Sequence, residues 1–334
     1  MVNLRVSLGS LTLRNPVLVA AGTFGYGIEF ARAVRLNRLG AIVTKTLTRQ
    51  PRTGHPPPRL AETPSGMINA VGLHNVGLEA FLAEKLPALR RFDVPVIVSI
   101  LGESPEELAV MVRALEAADG VAAIELNLSC PNIKKQEVGS RKLEKTPLET
   151  VSFSNLQPPT SNVHPNMVAQ DAEATFAMVQ AARRATQKPL LAKLSPDVTD
   201  LAPIAQAAQQ AGADALSVVN TFVGMSLNPA TRRSRIGALT GGVSGPAIRP
   251  LAVYRVWYTA QVVRLPIIGV GGIVRVPDAL EFFLAGASAV AIGTAHFADP
   301  RAAVRIAQGL ERYLRRYRMP SLEELRGAVN RRNA

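Results

Sequence analysis

The sequence predicts one closed (β/α)8 barrel, and three observations carry that expectation. Eight short aliphatic runs recur along the 334 residues, each followed by a polar or glycine-rich turn and then by helical apolar spacing. The entrances to these runs alternate in kind along the whole chain. Length and composition agree: 334 residues, 47% hydrophobic and 19% charged, exclude a disordered chain and suffice for one barrel with insertions.

Strands are expected over residues 16–21, 41–46, 95–101, 122–129, 190–195, 215–221, 267–272 and 289–294. The odd-numbered ones open with a proline before an aliphatic residue: Asn15-Pro16-Val17, Val94-Pro95-Val96, Lys188-Pro189-Leu190 and Leu265-Pro266-Ile267. The even-numbered ones follow Gly40, Gly120, Gly212 and Gly286. Proline tolerates a strand's first position, and glycine supplies the left-handed residue that closes a preceding helix. A two-step alternation over eight units favours a closed barrel over an open sheet.

Helices are expected over 78–92, 105–118, 172–186, 201–211, 248–263, 277–285 and 300–317, with Ser104 as a cap and Glu107 three residues on. A doubly wound dinucleotide sheet would need G-x-G-x-x-G after its first strand, whereas the turn reads Gly22-Thr23-Phe24-Gly25-Tyr26-Gly27. A polar stretch at about 136–169 interrupts the pattern, with Ser, Thr, Pro and Asn concentrated from Thr146 to Asn166. It reads as a long loop inside a single domain covering 1–334.

The chain has no run of about 18 uninterrupted apolar residues, so no membrane span is expected. Its start, Met1-Val2-Asn3-Leu4-Arg5-Val6, alternates like a strand rather than showing the layout of a secretory signal, and the cytoplasm is the expected compartment. The single cysteine, Cys130, excludes an internal disulfide and a four-cysteine zinc or iron–sulfur site held by this chain alone. The net charge of +13 is compatible with a basic scaffold for an acidic partner or nucleic acid. Aromatics are only 5%, however, and the arginines from Arg301 to Arg332 read as a solvated helix face, so nucleic acid is not the expected partner.

A barrel carries its chemistry at the C-terminal ends of its strands. Strand two ends in Lys45-Thr46, strand four in Asn127-Leu128-Ser129-Cys130-Pro131-Asn132, strand five in Lys193, and strand six in Asn220-Thr221. Strands seven and eight end in Gly271-Gly272 and Gly293-Thr294, where barrels commonly bind phosphate through backbone N–H groups. Two lysines, several amides and two glycine turns make a socket for a polar, anionic ligand. Lysine is seldom buried without a partner. Its structural reading here is a salt bridge at the rim; its functional reading is a fixed positive charge beside a flavin ring. Cys130 could be an inert buried thiol, or a base or nucleophile at a strand end. His55, His74, His164 and His296 form no metal-spaced pair.

With these residues in hand, the chain resembles the soluble class 1 dihydroorotate dehydrogenases, most closely the catalytic subunit of the NAD-linked type 1B. The resemblance rests on Lys45-Thr46, Ser65 through Leu73, Asn127 through Asn132, Lys193-Leu194-Ser195-Pro196, Asn220-Thr221, Thr240 through Pro246 and the two glycine turns. It implies an FMN at the barrel mouth and oxidation of dihydroorotate to orotate in pyrimidine biosynthesis. It implies Cys130 as the base taking the C5 proton while the C6 hydride passes to the flavin. Lys45, Asn69, Ala70, Val71, Gly72, Leu73, Asn127, Asn220 and Thr221 would hold substrate, with Asn132 in addition. FMN would meet Ala21, Lys45, Thr46, Ser99, Asn127, Lys193, Val219, Gly245, Gly271, Gly272, Gly293 and Thr294.

The chain departs from the type in three places. Ala21 stands where members often have Ser, and Ser99 stands where they often have Asn. The stretch between Lys135 and Gln170 is longer than the family's, and is either an extended cover over the site or a surface insertion. Type 1B enzymes reach NAD through a partner subunit carrying FAD and a [2Fe–2S] cluster, around a homodimer core or in a heterotetramer. This chain, with one cysteine, would need that iron–sulfur flavoprotein. The alternatives within the resemblance are a fumarate-using class 1 enzyme and a dihydropyrimidine dehydrogenase.

Overall fold

A computed structural model describes residues 2–128 and 167–331. Eight parallel strands close into a barrel in chain order: β1 Val17–Val19, β2 Ala41–Val43, β3 Val96–Ile100, β4 Val121–Asn127, β5 Leu190–Lys193, β6 Ala215–Val218, β7 Ile267–Val270 and β8 Ala289–Ile292. β8 closes on β1, with Val290 opposite Val17.

The alternating entrances have a physical cause. The carbonyl of each entrance proline accepts a backbone N–H from an even-numbered neighbour: Val290 to Pro16 at 2.8 Å, Ile42 to Pro95 at 2.9 Å, Ile124 to Pro189 at 2.9 Å and Leu216 to Pro266 at 3.0 Å. Proline lacks a donor but keeps its acceptor, so it suits a rung that only receives. Three of the four glycines behave as expected, with φ of +91° at Gly120, +97° at Gly212 and +118° at Gly286. Gly40 is glycine for a different reason, since a Cβ there would lie 2.2 Å from the Asn15 carbonyl oxygen.

Around the barrel run the helices α1 Pro105–Glu116, α2 Ala172–Arg183, α3 Ala202–Gln210, α4 Arg249–Val262, α5 Val276–Ala285 and α6 Ala302–Tyr317. Ser104 caps α1 by accepting the Glu107 N–H at 3.2 Å. The helical run at 78–89 contains a π turn, Phe81–Lys85, just ahead of Pro87, which has no N–H to continue the regular ladder. On α6, Ile306, Leu310 and Leu314 are buried, and the arginines face outward. Arg305 pairs with Asp299 at 2.7 Å and Arg315 with Glu311 at 2.5 Å, consistent with a solvated face.

Alternate residues of each strand point into the barrel or toward the helices. Leu18, Ala41, Val43, Ile97, Ala123, Leu191, Ala215, Ile268 and Ala289 form an inner apolar cluster with Leu8 and Leu13. The last two come from a hairpin of Val6–Leu8 and Leu11–Leu13 that plugs this apolar layer. A separate four-stranded sheet, in the order Phe222–Gly224, Gly241–Ser244, Gly66–Asn69, Leu60–Thr63, joins the excursions after β2 and β6. No helix among the described residues is long and apolar enough to cross a membrane.

Candidate active site

The strands stop earlier than the sequence suggests at the ends that matter. β2, β6, β7 and β8 end at Val43, Val218, Val270 and Ile292, which leaves Lys45-Thr46, Asn220-Thr221, Gly271-Gly272 and Gly293-Thr294 in the turns beyond. There the backbone leaves the ladder. The Lys45 N–H, for example, bonds the Gly25 carbonyl at 2.8 Å, and Gly271 has a φ of +138°.

These turns surround one open cleft at the C-terminal rim of the barrel. Of the expected residues, Ala21, Lys45, Thr46, Asn69, Val71, Leu73, Asn127, Lys193, Val219, Asn220, Thr221, Gly245, Gly271, Gly272, Gly293 and Thr294 line it.

Three expected residues do not line it. Asn69, Val71 and Leu73 face the cleft, whereas Ala70 is fully buried against Ile68 and Ile236, and Gly72 faces His55. The strand ends at Asn69, and a turn with φ of +67° at Gly72 and +57° at Leu73 brings Leu73 back to the cleft. Ser99 is fully buried, and its hydroxyl lies 3.0 Å from the Thr46 hydroxyl. Its reach toward the cleft is therefore through Thr46. Cys130 and Asn132 lie outside the described residues, as does the 136–169 stretch apart from its last three positions.

The amides of the cleft are held in a chain that fixes their orientation. The Thr221 N–H donates to Asn220 Oδ1 at 2.9 Å, and Asn220 Nδ2 donates to Asn127 Oδ1 at 3.4 Å. Asn127 Nδ2 in turn donates to Thr46 Oγ1 at 3.2 Å. Asn69 Nδ2 donates to the Gly242 carbonyl at 3.0 Å, which ties the substrate-side hairpin to the strand that follows the β6 excursion. Thr294 Oγ1 donates to Ser244 Oγ at 2.8 Å, so the end of β8 meets that same strand.

Two glycines leave open space at the cleft. A Cβ on Gly22 would lie 3.9 Å from Lys45 Nζ, and one on Gly293 would lie 3.8 Å from the Ala20 Cβ with nothing nearer. Both glycines line the cleft, so their missing side chains leave space that a ligand can take.

Sequence reading missed several residues. Gly22, Thr23, Met67, Ser244, Ile248 and Phe297 also line the cleft. Beneath it, Glu125 is 3% exposed, accepts from Ser217 Oγ at 2.8 Å through Oε2, and has no hydrogen-bond partner for Oε1 among the described residues. Its signal was a charged residue inside the apolar run Val121-Ala122-Ala123-Ile124, two positions before Asn127. His296 lies outside the cleft lining, 2% exposed, its ring 4.9 Å from Phe24 and both ring nitrogens without hydrogen-bond partners among the described residues. Burial pulls its pKa down to about 4, against a smaller opposing pull from Asp299. Among the described residues no group of three or more His, Cys, Asp or Glu could hold a metal ion.

A family profile described as dihydroorotate dehydrogenase matches residues 3–314. The chain is 46% identical over 327 residues, covering 98% of both proteins, to a Pelobacter propionicus protein named dihydroorotate dehydrogenase B (NAD(+)), catalytic subunit. It is 47% identical over 330 residues to the Desulforudis audaxviator protein of the same name, covering 99% of this chain and 98% of the other. The Trichlorobacter lovleyi counterpart is 45% identical over 324 residues, covering 97% of each.

Proposed function

The chain belongs to the dihydroorotate dehydrogenase family, and on that footing we propose that it works in the cytoplasm as the FMN-bearing catalytic subunit of an NAD-linked enzyme oxidising dihydroorotate to orotate. The observation that carries the site reading is that two lysines, three asparagines and two glycine turns from separate parts of the chain line one cleft at the C-terminal rim. The donor set suits a ligand with an anionic phosphate at one end and an imide edge at the other. The spaces beside Gly22 and Gly293 are those a flavin's bulk requires.

When bound, FMN supplies the hydride acceptor. The chain's own groups do the rest. Gly245, Gly271-Gly272 and Gly293-Thr294 would hold the phosphate with backbone N–H groups at the end of the barrel suited to it. Lys193, 6% exposed, and Lys45 keep positive charge in the cleft, which favours anionic substrate and charge developing opposite them. Asn69, Asn127 and Asn220 offer amides whose orientation is already set by their bonds to Gly242, Thr46 and each other. An analogue without the matching edge would leave those amides unpaired and bind less well. Cys130 would accept the C5 proton as its thiolate.

The single cysteine gives this chain no means to ligate a [2Fe–2S] cluster. Electrons would therefore reach NAD through a partner subunit carrying that cluster and FAD, assembled on a homodimer core or in a heterotetramer.

The purified protein should be yellow with bound FMN and should bleach anaerobically on adding dihydroorotate. No flavin after reconstitution, or no bleaching, would sink the proposal. Cys130→Ser should keep FMN and slow bleaching by about a hundredfold or more, the usual worth of a positioned base. An unchanged rate would remove Cys130 from the reaction.

A further inference from the structure

Two separate segments build the glycine-lined wall of the cleft. One follows the excursion after β6 and runs through Gly245 and the short 3-10 turn Pro246–Ile248 into α4. The other leaves β7 through Gly271, Gly272, Ile273 and Val274 and enters α5. They press together without slack: a Cβ on Gly272 would lie 2.7 Å from the Arg249 Cβ and 2.8 Å from the Gly245 carbonyl oxygen, and one on Gly271 would lie 2.6 Å from the Ala252 Cβ.

One carboxylate joins the two. Asp278 is 2% exposed, and its Oδ1 accepts Arg249 Nη1 at 2.6 Å. Its Oδ2 accepts the backbone N–H groups of Val274 and Arg275, each at 3.0 Å. The first bond holds the start of α4, and the other two hold the end of the β7 turn. The neighbouring charges add less. Arg249 Nε stands 3.4 Å from Glu281 Oε2 without the geometry of a hydrogen bond, and Arg275, whose side chain is 74% exposed, is screened by solvent. Neither Arg249 nor Asp278 lines the cleft. Removing either would leave the other charge without its main partner and free the two segments to separate.

We propose that Arg249 and Asp278 are positioning residues for the phosphate cradle: their pairing sets the spacing between Gly245 and Gly271-Gly272, and with it the preference for a phosphorylated flavin over an unphosphorylated one. The inference rests on the FMN reading above. It is distinct from a general role in stability, because the ring end of the cleft is lined by Lys45, Asn127, Lys193 and Asn220, which come from other segments of the chain than the two that the pair joins.

FMN and riboflavin differ only at the phosphate, so their affinities for the whole apoprotein separate the two ends. Flavin fluorescence quenching measures both. Asp278→Asn should weaken FMN by at least about tenfold, the loss expected when charge-assisted bonds no longer position their donors, while riboflavin changes by less than about threefold. Arg249→Lys retains the charge without the planar fork and should fall between the wild type and Asp278→Asn. If Asp278→Asn does not fold, Arg249→Lys alone carries the measurement, since that side chain is 26% exposed and keeps its charge. Variants that keep the wild-type FMN-to-riboflavin ratio, including variants that lose both flavins equally, overturn the inference. A wild-type protein with no preference for FMN would overturn the flavin reading itself.

Discussion

Asn75 anchors the loop that presents Asn69, Val71 and Leu73 to the cleft, and its removal should show how much of the site depends on a residue outside it. The side chain is 4% exposed and uses its whole hydrogen-bonding capacity. Oδ1 accepts the N–H of Thr48 at 3.2 Å and of Gly77 at 2.8 Å. Nδ2 donates to Thr48 Oγ1 at 2.9 Å and to the Leu73 carbonyl at 2.7 Å. Asn75→Ala leaves two buried N–H groups and one buried carbonyl without these partners, each worth about 1–3 kcal/mol. The Thr48 hydroxyl retains its bond to the Gln50 carbonyl at 2.6 Å. Val71 and Gly72 are half-buried, so water can reach the space, and the lower end of the range applies, about 3 kcal/mol in all. Urea denaturation should show the unfolding free energy lowered by that amount, through a lower midpoint at an unchanged slope. Orotate binding should weaken in the same variant, because the Leu73 carbonyl loses the bond that fixes its turn. Asn330→Ala removes an exposed amide bonded to Trp257 Nε1 at 2.7 Å and serves as the control, with a cost below about 1 kcal/mol. A loss from Asn75→Ala no larger than that of the control would refute the reasoning.

Three further outcomes follow from particular side chains. Gly293→Ala places a Cβ no closer than 3.8 Å to any neighbour at a position without positive φ, so apoprotein stability should change by less than about 0.5 kcal/mol while FMN affinity drops, read by thermal unfolding and flavin quenching; an unchanged affinity would refute the placement of the flavin. His296 holds a proton in the folded chain only below about pH 4, against 6.5 unfolded, so the unfolded state alone gains protons between those values and stability falls as pH drops, by about 3 kcal/mol in all. In His296→Phe the same pH titration of the unfolding midpoint should be flatter by that amount, and an identical profile would contradict the assignment. Ser217→Ala removes the hydrogen-bond donor that Glu125 has among the described residues and should cost about 1–3 kcal/mol in a denaturant titration; a neutral result would mean that the carboxyl does not depend on it.

The fold was legible because its signals are backbone signals. The prolines at 16, 95, 189 and 266 mark rungs whose carbonyls receive and whose nitrogens need not donate, and that role is visible in the residue type alone. Glycine is a weaker sign. Gly120 and Gly286 close helices in the left-handed region, but Gly40 looks identical in sequence and is required by its approach to Asn15. The four-stranded sheet over the rim went unread for a related reason. Its strands are short, and the register Gly242 to Asn69 joins residues more than 170 positions apart, a distance that no local pattern reports.

The site was legible where one residue type implies one task, and illegible where the task depends on a partner. Lys193 or Asn127 at a strand end declares itself, because an apolar strand has no structural use for it. Asp278 does not, since an acidic residue in the first turn of a helix is ordinary. Its importance comes from Arg249, 29 residues away, which only the folded chain brings to it. Glu125 stands between these cases. Reading only the inward positions gives Ala123, Glu125, Asn127 on β4, Ile97 and Ser99 on β3, Leu191 and Lys193 on β5, and Ala215 and Ser217 on β6. Each series runs from aliphatic to polar toward the C-terminal end. That gradient identifies the end of the barrel that binds a ligand without any motif, and it also shows that the polar floor reaches one inward layer below the residues that line the cleft. Ser99, Glu125 and Ser217 belong to that lower layer: they face into the barrel, touch Thr46 or one another, and shape the site from beneath.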